Sequence, residues 1–298
     1  MNGRARAVAV GLLADLLVGD PPPPWHPVGW FGTAMAGAER VLYRDARSAG
    51  VAHAGIGALV GWAAARACPS TAVATGICVA GRGLTRAAHE VADRLADDDL
   101  DGARELLPGL AGRDPANLDR AEITRAVVES VAENTVDAIV APACWAVLAG
   151  APGVFVHRAV NTMDAMVGHR NRRYQRYGWA AARLDDAAAW LPARLTACLV
   201  ATVRPHATAR IGRVVRDQAS AHPSPNAGVA EAAYAAALDI QLGGTNRYGE
   251  AIEHRPRLGN GPPPTPVDIR RATRLCRDVT LAAIALLATM PARTGAAP

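Results

Sequence analysis

Three carboxylates recur at four-residue intervals in the segment 125–142, RAVVESVAENTVDAIVAP. They are Glu129, Glu133 and Asp137, and this spacing places them on one face of an α-helix. Like charges at this spacing repel one another, so the ordinary interpretation is a solvated face of an amphipathic helix. The apolar run that follows favours a functional interpretation, because acids beside a membrane-depth helix are costly unless they bind something.

A second set of polar residues lies in the segment 157–173, HRAVNTMDAMVGHRNRR. His157, Asn161 and Asp164 are spaced i, i+4 and i+7, so they share one helical face, and Arg158 lies three residues before Asn161. Asn161 and Asp164 offer the amide and carboxylate oxygens that a hard cation prefers. For His157 we expect a core histidine with a satisfied hydrogen bond.

A third segment, 177–197, carries the charged residues Arg183, Asp185 and Asp186 ahead of an apolar stretch. Both acids are candidates for binding a cation or a substrate. Asp186 has a simple alternative role, because an Asp before an Ala-rich stretch is a common helix N-cap.

The segment 222–228, HPSPNAG, is too rich in proline to be helical. A loop of this kind is suited to presenting backbone amides, Ser224 or Asn226 to a ligand, with His222 at its start. A plain turn is the alternative.

Composition excludes several classes of chemistry. The 32 basic residues are all arginine, so the chain has neither a Walker A lysine nor a lysine that could form a Schiff base. Any phosphate must therefore be held by arginine, backbone amides or a metal. The five cysteines are scattered without a CxxC pair, which is typical of small buried side chains in a reducing compartment. No basic stripe interleaved with aromatic residues is visible, so we expect no nucleic-acid partner.

Half of the residues are hydrophobic but only 4% are aromatic, and Ala, Val and Leu dominate, which favours helices. We predict an all-α fold, a helical integral membrane protein with a substantial cytoplasm-facing helical portion. Helices that begin at Leu84, Asp101 and Asp119 are also predicted in the polar block 82–125. Pro142 and Pro152 should kink the apolar run 138–156. The predicted apolar helices lie near residues 7–18, 51–65, 67–81, 138–156 and 279–292.

Taken in order, these segments resemble the CobD/CbiB family, the adenosylcobinamide-phosphate synthases of cobalamin synthesis. The resemblance spans the chain as a single domain, 1–298, although residues 38–80 and those beyond 250 are poorly covered. Five positions depart from the family pattern: Gly29, Ala138, Ala189 and the pair His169-Arg170. The matching motifs are Asp15, GDP at 19–21, HPV at 26–28, GRD at 112–114, ESVAENTVD at 129–137, RAVNTMDAMVG at 158–168, ARLDD at 182–186, PARL at 192–195, HPSPNAG at 222–228, LGG at 242–244 and YG at 248–249.

The resemblance implies a multi-pass cell-membrane protein whose active site faces the cytoplasm. It would use ATP and Mg²⁺ to join a propionate of a corrinoid, (adenosyl)cobyric acid, to (R)-1-amino-2-propanol or its O-phosphate. Arginine-rich segments after the apolar runs agree with cytoplasmic loops. Membrane lipid, a second copy of the chain and other cobalamin-assembly enzymes are the expected partners.

The roles of individual residues follow from the same resemblance. Catalytic roles are expected for Glu133, Asp137, Asp164, Asp185 and His222. Metal-ligand roles are expected for Glu129, Glu133, Asp137, Asp164 and Asp186. Binding of ATP and substrate is expected to involve Arg158, Asn161, Arg183, Ser224 and Asn226.

Two other functions remain open on the residues alone. Paired acids also suit a Mg²⁺-dependent helical enzyme that acts on a diphosphate. A membrane scaffold or sensor without enzymatic activity is the other alternative.

Overall fold

The protein is almost entirely helical in a computed structural model that describes residues 2–19, 21, 25–112, 114–169, 171–248 and 251–290. Helices account for 79% of the chain, which confirms the predicted helical class. Four residues of the sequence motifs, Asp20, Arg113, Arg170 and Gly249, lie outside the described residues.

The first half of the chain contains the predicted helices with small shifts of their ends. The apolar run 67–81 forms only the short helix α4, and the three polar helices begin within three residues of the predicted positions. The helices are α1 Asn2–Val18, α2 Pro27–Leu42, α3 Arg47–Ala67, α4 Thr71–Cys78, α5 Gly81–Ala96, α6 Leu100–Leu106 and α7 Arg120–Thr135.

The second half adds long helices and one feature that the all-α prediction missed. That feature is an antiparallel hairpin of β1 Leu242–Tyr248 and β2 Ala251–Leu258. The all-α prediction is wrong here because Gly243 and Gly244 have φ of 80° and 99°, which a helix cannot accommodate. The helices are α8 Ala141–Val167, α9 Tyr174–Tyr177, α10 Trp179–Val203, α11 Thr208–Gln218, α12 Ala227–Leu238 and α13 Pro266–Thr289.

The connection from α7 to α8 is a π-helix, Val136–Val140, and Asp137 lies in it. The regular α-helical spacing that the acid stripe assumed therefore ends at Thr135. Pro142 follows this π-helix directly, in the first turn of α8, and Arg120–Val167 is one continuous helical run. The kink predicted at Pro152 is confirmed, because Gly150 leaves the helical conformation with φ 70° and ψ −151°.

Contacts between Cα atoms divide the chain into two units. Unit 1 comprises Met1–Ala80, Asp137–Ala189 and Ala283–Pro298, and unit 2 comprises Gly81–Val136 and Trp190–Ala282.

Unit 1 is built on close packing of α3 against α8 and α9. Glycines in α3 make this possible, since a Cβ on Gly61 would lie 2.8 Å from the Phe155 carbonyl oxygen and one on Gly50 would lie 1.8 Å from that of Tyr177. Met163 and Tyr177 fill the core beside them. Small residues thus let the two long helices approach closely.

Unit 2 is organised around α7 and α12, which lie in contact. The fully buried Tyr234 of α12 shares a 2.7 Å hydrogen bond with the Thr135 hydroxyl of α7. At the other end of α7, Asp119 and Glu122 form a capping box, which fixes where the helix begins. The helix that carries two of the three predicted acids is therefore anchored at both ends.

Two helical stretches of the described residues are long and apolar enough to cross a membrane: α3 and the continuous run Arg120–Val167. A buried core helix meets the same criterion, and 56% of the apolar window in the longer run is buried. In α3 only 33% of the window is buried, and Leu59 is 65% exposed. The structure thus supports membrane association through α3 more than through the longer run.

Candidate functional site

A chain of polar contacts in unit 1 joins three of the predicted residues. Arg158 donates from Nη1 to the Asn161 Oδ1 at 3.3 Å, and the Asn161 Nδ2 donates to the Asp185 Oδ1 at 3.2 Å. Arg158 and Asn161 are one turn apart on α8, whereas Asp185 lies on α10. The indole of Trp145 holds these two helices together through a 3.1 Å hydrogen bond to the Ala188 carbonyl oxygen.

The polarity of this cluster follows from its contacts. Asn161 accepts from a cation through its oxygen and donates to a carboxylate through its nitrogen, so its amide orientation is fixed by both neighbours. Asp185 is buried, with only 9% of its surface exposed. A buried carboxylate is stable only when it is hydrogen bonded or paired, and the Asn161 amide provides one such bond.

An apolar cavity of about 320 Å³ lies beside Arg158 in unit 1. Its walls come from α2, α3, α4 and α8, and they include Trp30, Phe31 and Phe155. The Nε of Arg158 is buried and has no hydrogen-bond acceptor among the described residues. A cation with an unused donor at an apolar cavity is suited to an amphipathic ligand that carries a negative group.

The structure places the other predicted residues of unit 1 in different environments. Asp164 is half-buried and its carboxylate lies over the backbone of Gly168, where an added Cβ would meet the Oδ1 at 1.8 Å. Arg183 is exposed and Asp186 is half-buried, both well inside α10. The N-cap alternative for Asp186 is therefore wrong, because the helix begins seven residues earlier at Trp179.

His157 has the burial that we predicted but not the hydrogen bond. The side chain is 3% exposed, and neither ring nitrogen has a hydrogen-bond partner among the described residues. The prediction of a core histidine is confirmed, and the expected hydrogen bond is wrong. The i, i+4 and i+7 spacing does not bring this ring into the polar contacts of Arg158 and Asn161.

In unit 2 the acids of α7 differ sharply in burial. Glu133 is exposed, whereas Glu129 is 3% exposed. The Oε1 of Glu129 accepts the backbone N–H of Gly243 at 2.7 Å and lies 3.8 Å from the Nε of Arg125. Glu129 thus ties the start of the hairpin to α7, a structural role that its spacing alone did not indicate.

Residues 222–226 are confirmed as non-helical and fold back on themselves, whereas Ala227 and Gly228 already belong to α12, so the prediction is wrong for these two. The Nδ1 of His222 lies 3.1 Å from both the backbone nitrogen and the carbonyl oxygen of Ser224. The Ser224 Oγ accepts the N–H groups of Asn226 and Ala227. The Oδ1 of Asn226 accepts from Arg194 at 2.9 Å. These bonds order the loop at the start of α12 and fix the orientation of the histidine ring.

His222 lies against two residues that the sequence patterns did not single out. Its Nε2 is 3.6 Å from the Oε1 of Glu231, which is fully buried, and 3.5 Å from the Nη1 of Arg255. Because Nδ1 lies against the Ser224 backbone, Nε2 is the ring nitrogen that faces this pair. Glu231 is the only acid in the Ala-rich segment 227–238, a signal that could have marked it.

The predicted metal ligands do not form one cluster in the described part of the chain. No three His, Cys, Asp or Glu side chains there lie close enough together to hold a metal ion. Mg²⁺ that enters with a nucleotide usually takes only one or two protein carboxylates, and phosphates and water complete its coordination. Asp185, with the Asn161 amide beside it, has the oxygen chemistry that this mode requires.

The chain matches the family model described as CobD/Cbib protein over residues 8–276. The chain belongs to the CobD/CbiB family. Similar relatives are named cobalamin biosynthesis protein CobD. One, from Mycobacterium tuberculosis strain H37Rv, is 47% identical over 96% of this chain and 95% of its own length.

Two further CobD relatives are less similar in sequence. The protein of Chromobacterium violaceum is 42% identical over 89% of this chain and 90% of its own length. That of Rhodobacter capsulatus is 38% identical over 91% of each. No solved structure matches the chain. The family assignment connects the protein with cobalamin biosynthesis.

Proposed function

We propose that this CobD/CbiB-family protein joins a propionate carboxyl group of (adenosyl)cobyric acid to (R)-1-amino-2-propanol or its O-phosphate. The product is (adenosyl)cobinamide or its phosphate. The proposal rests on the family and on one structural observation. That observation is Arg158, whose buried Nε lacks an acceptor among the described residues, beside an apolar cavity.

This arrangement suits one end of the substrate. A corrinoid side chain presents a carboxylate attached to apolar carbon, and a guanidinium matches a carboxylate through two parallel hydrogen bonds. The apolar wall would cover the carbon skeleton near that carboxylate. The cavity volume of about 320 Å³ suits a side chain and part of a ring edge rather than a whole macrocycle.

The reaction needs an activated carboxyl group. In the proposed sequence the carboxylate oxygen takes the γ-phosphoryl group of ATP, which breaks the bond to ADP. The amine nitrogen then attacks the acyl carbon, the C–O bond to phosphate breaks, and the amine loses a proton. The products are the amide, ADP and phosphate.

The residues of this chain would divide the remaining tasks. Asp185, with either Asp164 or Asp186 as a second ligand, would hold Mg²⁺, which would supply charge neutralisation on the transferred phosphoryl group. Glu133 and Asp137 remain proposed for catalysis, with Arg183 proposed for phosphate. Every cation available for these tasks is an arginine.

His222 is the proposed acceptor of the proton that the amine releases. In the tautomer whose Nδ1–H donates to the Ser224 carbonyl oxygen at 3.1 Å, Nε2 is the basic nitrogen that takes this proton. The Glu231 carboxylate, 3.6 Å from Nε2, would stabilise the imidazolium that results.

The test is a ligation assay with the full-length, detergent-solubilised protein. With ATP, Mg²⁺, a cobyric acid and aminopropanol phosphate, mass spectrometry should show a corrinoid heavier by the amine less one water. The product should be absent without ATP, and phosphate release should depend on the corrinoid. Formation of the same product without a nucleotide would refute the ligase mechanism.

The alternatives give different results in the same assay. A diphosphate enzyme would turn over a diphosphate with no corrinoid present. A scaffold or sensor would show no ATP turnover under any of these conditions.

We also propose that the protein is a multi-pass membrane protein with its active site towards the cytoplasm. Large apolar side chains are exposed on α1 and α3 of unit 1, among them Leu17 and Leu59. The arginines of the segments 158–183 and 204–216 would face the cytoplasm. Recovery of the full-length protein in the supernatant of a high-speed spin without detergent would contradict this proposal.

A further inference from the structure

Unit 2 contains a cleft of about 500 Å³ between the hairpin and the start of α7. None of the residues predicted from the sequence as catalytic, metal-binding or ligand-binding lines it. Arginines, the Gly243-Gly244-Thr245 turn into β1 and the α7 cap form its walls.

Three arginines supply the positive charge of the cleft: Arg125, Arg255 and Arg257. Arg125 is held in place by a 2.6 Å hydrogen bond from its Nη2 to the Thr245 carbonyl oxygen. Arg257 is exposed and makes no side-chain hydrogen bond or ion pair with any described residue. At least one guanidinium of the cleft is thus not neutralised by an acid of the described residues.

Two acids also line the cleft, and their contacts limit their influence. The Asp119 Oδ1 accepts the Glu122 N–H at 2.8 Å, and the Glu122 Oε2 accepts the Asp119 N–H at 2.9 Å. Both carboxylates therefore bind the amides at the N-terminus of α7, whose partial positive charge they offset. Three arginines against these two acids leave the lining with a net positive charge.

The backbone of the hairpin leaves room beside Arg125. Gly244 has φ 99°, and a Cβ there would lie 3.2 Å from the Nη1 of Arg125. A larger residue would press on the guanidinium from the cleft side. The glycine therefore keeps this arginine accessible from the cleft.

We propose that this cleft binds the phosphate group of a substrate, a phosphate ester or a nucleotide. Guanidinium groups match phosphate oxygens through paired hydrogen bonds, and this chain has no lysine to do so. Two sources of that phosphate fit the proposed function: aminopropanol O-phosphate and ATP. The inference deepens that function and rests on it only for the identity of the phosphate compound.

The experiment compares two arginine substitutions in the full-length protein. Arg257→Ala removes the cleft guanidinium that no described residue pairs with. Arg213→Ala is the matched control, because Arg213 is also exposed in unit 2, makes no side-chain hydrogen bond or ion pair with a described residue, and lies outside the cleft. Binding is measured by calorimetry at fixed ionic strength, without corrinoid, for aminopropanol phosphate, aminopropanol, ATP and adenosine.

We expect Arg257→Ala to weaken the binding of one phosphate compound by about tenfold. This loss is at the lower end of the range expected when a charge-assisted hydrogen bond is removed. The non-phosphorylated counterpart and the Arg213→Ala control should show no change. A loss confined to aminopropanol phosphate identifies the amine substrate as the source, and a loss confined to ATP identifies the nucleotide.

Unchanged affinity of Arg257→Ala for both phosphate compounds would overturn the inference. The same loss in Arg213→Ala would also overturn it, since the effect would then reflect overall charge. Because binding is measured without corrinoid, failure of the ligation assay leaves this result interpretable.

Discussion

Replacement of Glu129 tests whether its carboxylate holds the hairpin in place or binds a metal. In Glu129→Ala the Gly243 N–H loses its acceptor, which costs about 1–3 kcal/mol for a buried donor. Arg125, partly buried, loses its neighbouring charge as well, and breaking a buried pair costs about 3–5 kcal/mol. Because Arg125 retains its bond to Thr245 and some exposure, we expect about 3 kcal/mol in total.

The isosteric variant should be milder. Glu129→Gln keeps an oxygen acceptor for Gly243 and loses only the charge, so we expect about 1 kcal/mol. For a chain of this size the two values correspond to falls in Tm of roughly 6–12 °C for Ala and roughly 2–4 °C for Gln.

Thermal unfolding of the full-length protein in detergent, with and without Mg²⁺, measures both variants. Glu105→Ala is the control, because Glu105 is an exposed acid of unit 2 that makes no side-chain contact with a described residue. A structural role predicts the same loss with and without Mg²⁺. If Glu129→Ala unfolds within about 1 °C of the parent while Mg²⁺ loses its effect on turnover, the structural interpretation is refuted and the metal role is supported.

Three further outcomes are expected. Glu133→Gln and Asp137→Asn should each abolish ligation while helicity by circular dichroism stays unchanged; near-normal turnover at saturating Mg²⁺ would show that these acids are only solvated. Gly228→Ala should destabilise the protein by about 1–3 kcal/mol in thermal melts, because the added Cβ would lie 2.5 Å from the Cβ of His222. In the exposed control Gly212→Ala the added Cβ meets nothing within 4 Å, so this variant should be neutral or stabilising. Burial raises the pKa of Tyr234 well above its ordinary value, so unfolding releases a proton above about pH 10 and stability should fall there; Tyr234→Phe should lessen this fall, and an identical pH profile would contradict it.

Much of the helical architecture follows from local sequence. The capping box of Asp119 and Glu122 needs only residues three apart, so the start of α7 could be predicted to within one residue. The kink near Pro152 and the loop at 222–226 are equally local, because proline lacks the N–H that a helix requires. Helical spacing also brought Arg158 and Asn161 together correctly, since residues three apart share a helix face.

The sequence by itself thus determined the family, the helices and the polar faces that α7 and α8 carry. Tertiary structure decided what those faces contact. Asp185 accepts a hydrogen bond from Asn161 on another helix, and Glu129 is buried beneath a hairpin that the hydrophobic periodicity of the sequence did not predict. It also supplied Glu231 and Arg255 as the neighbours of His222, and the three arginines of the cleft in unit 2. The physical reason is that spacing along a helix specifies only which side chains share a face, whereas burial and hydrogen bonding depend on which segment, distant along the chain, packs against that face.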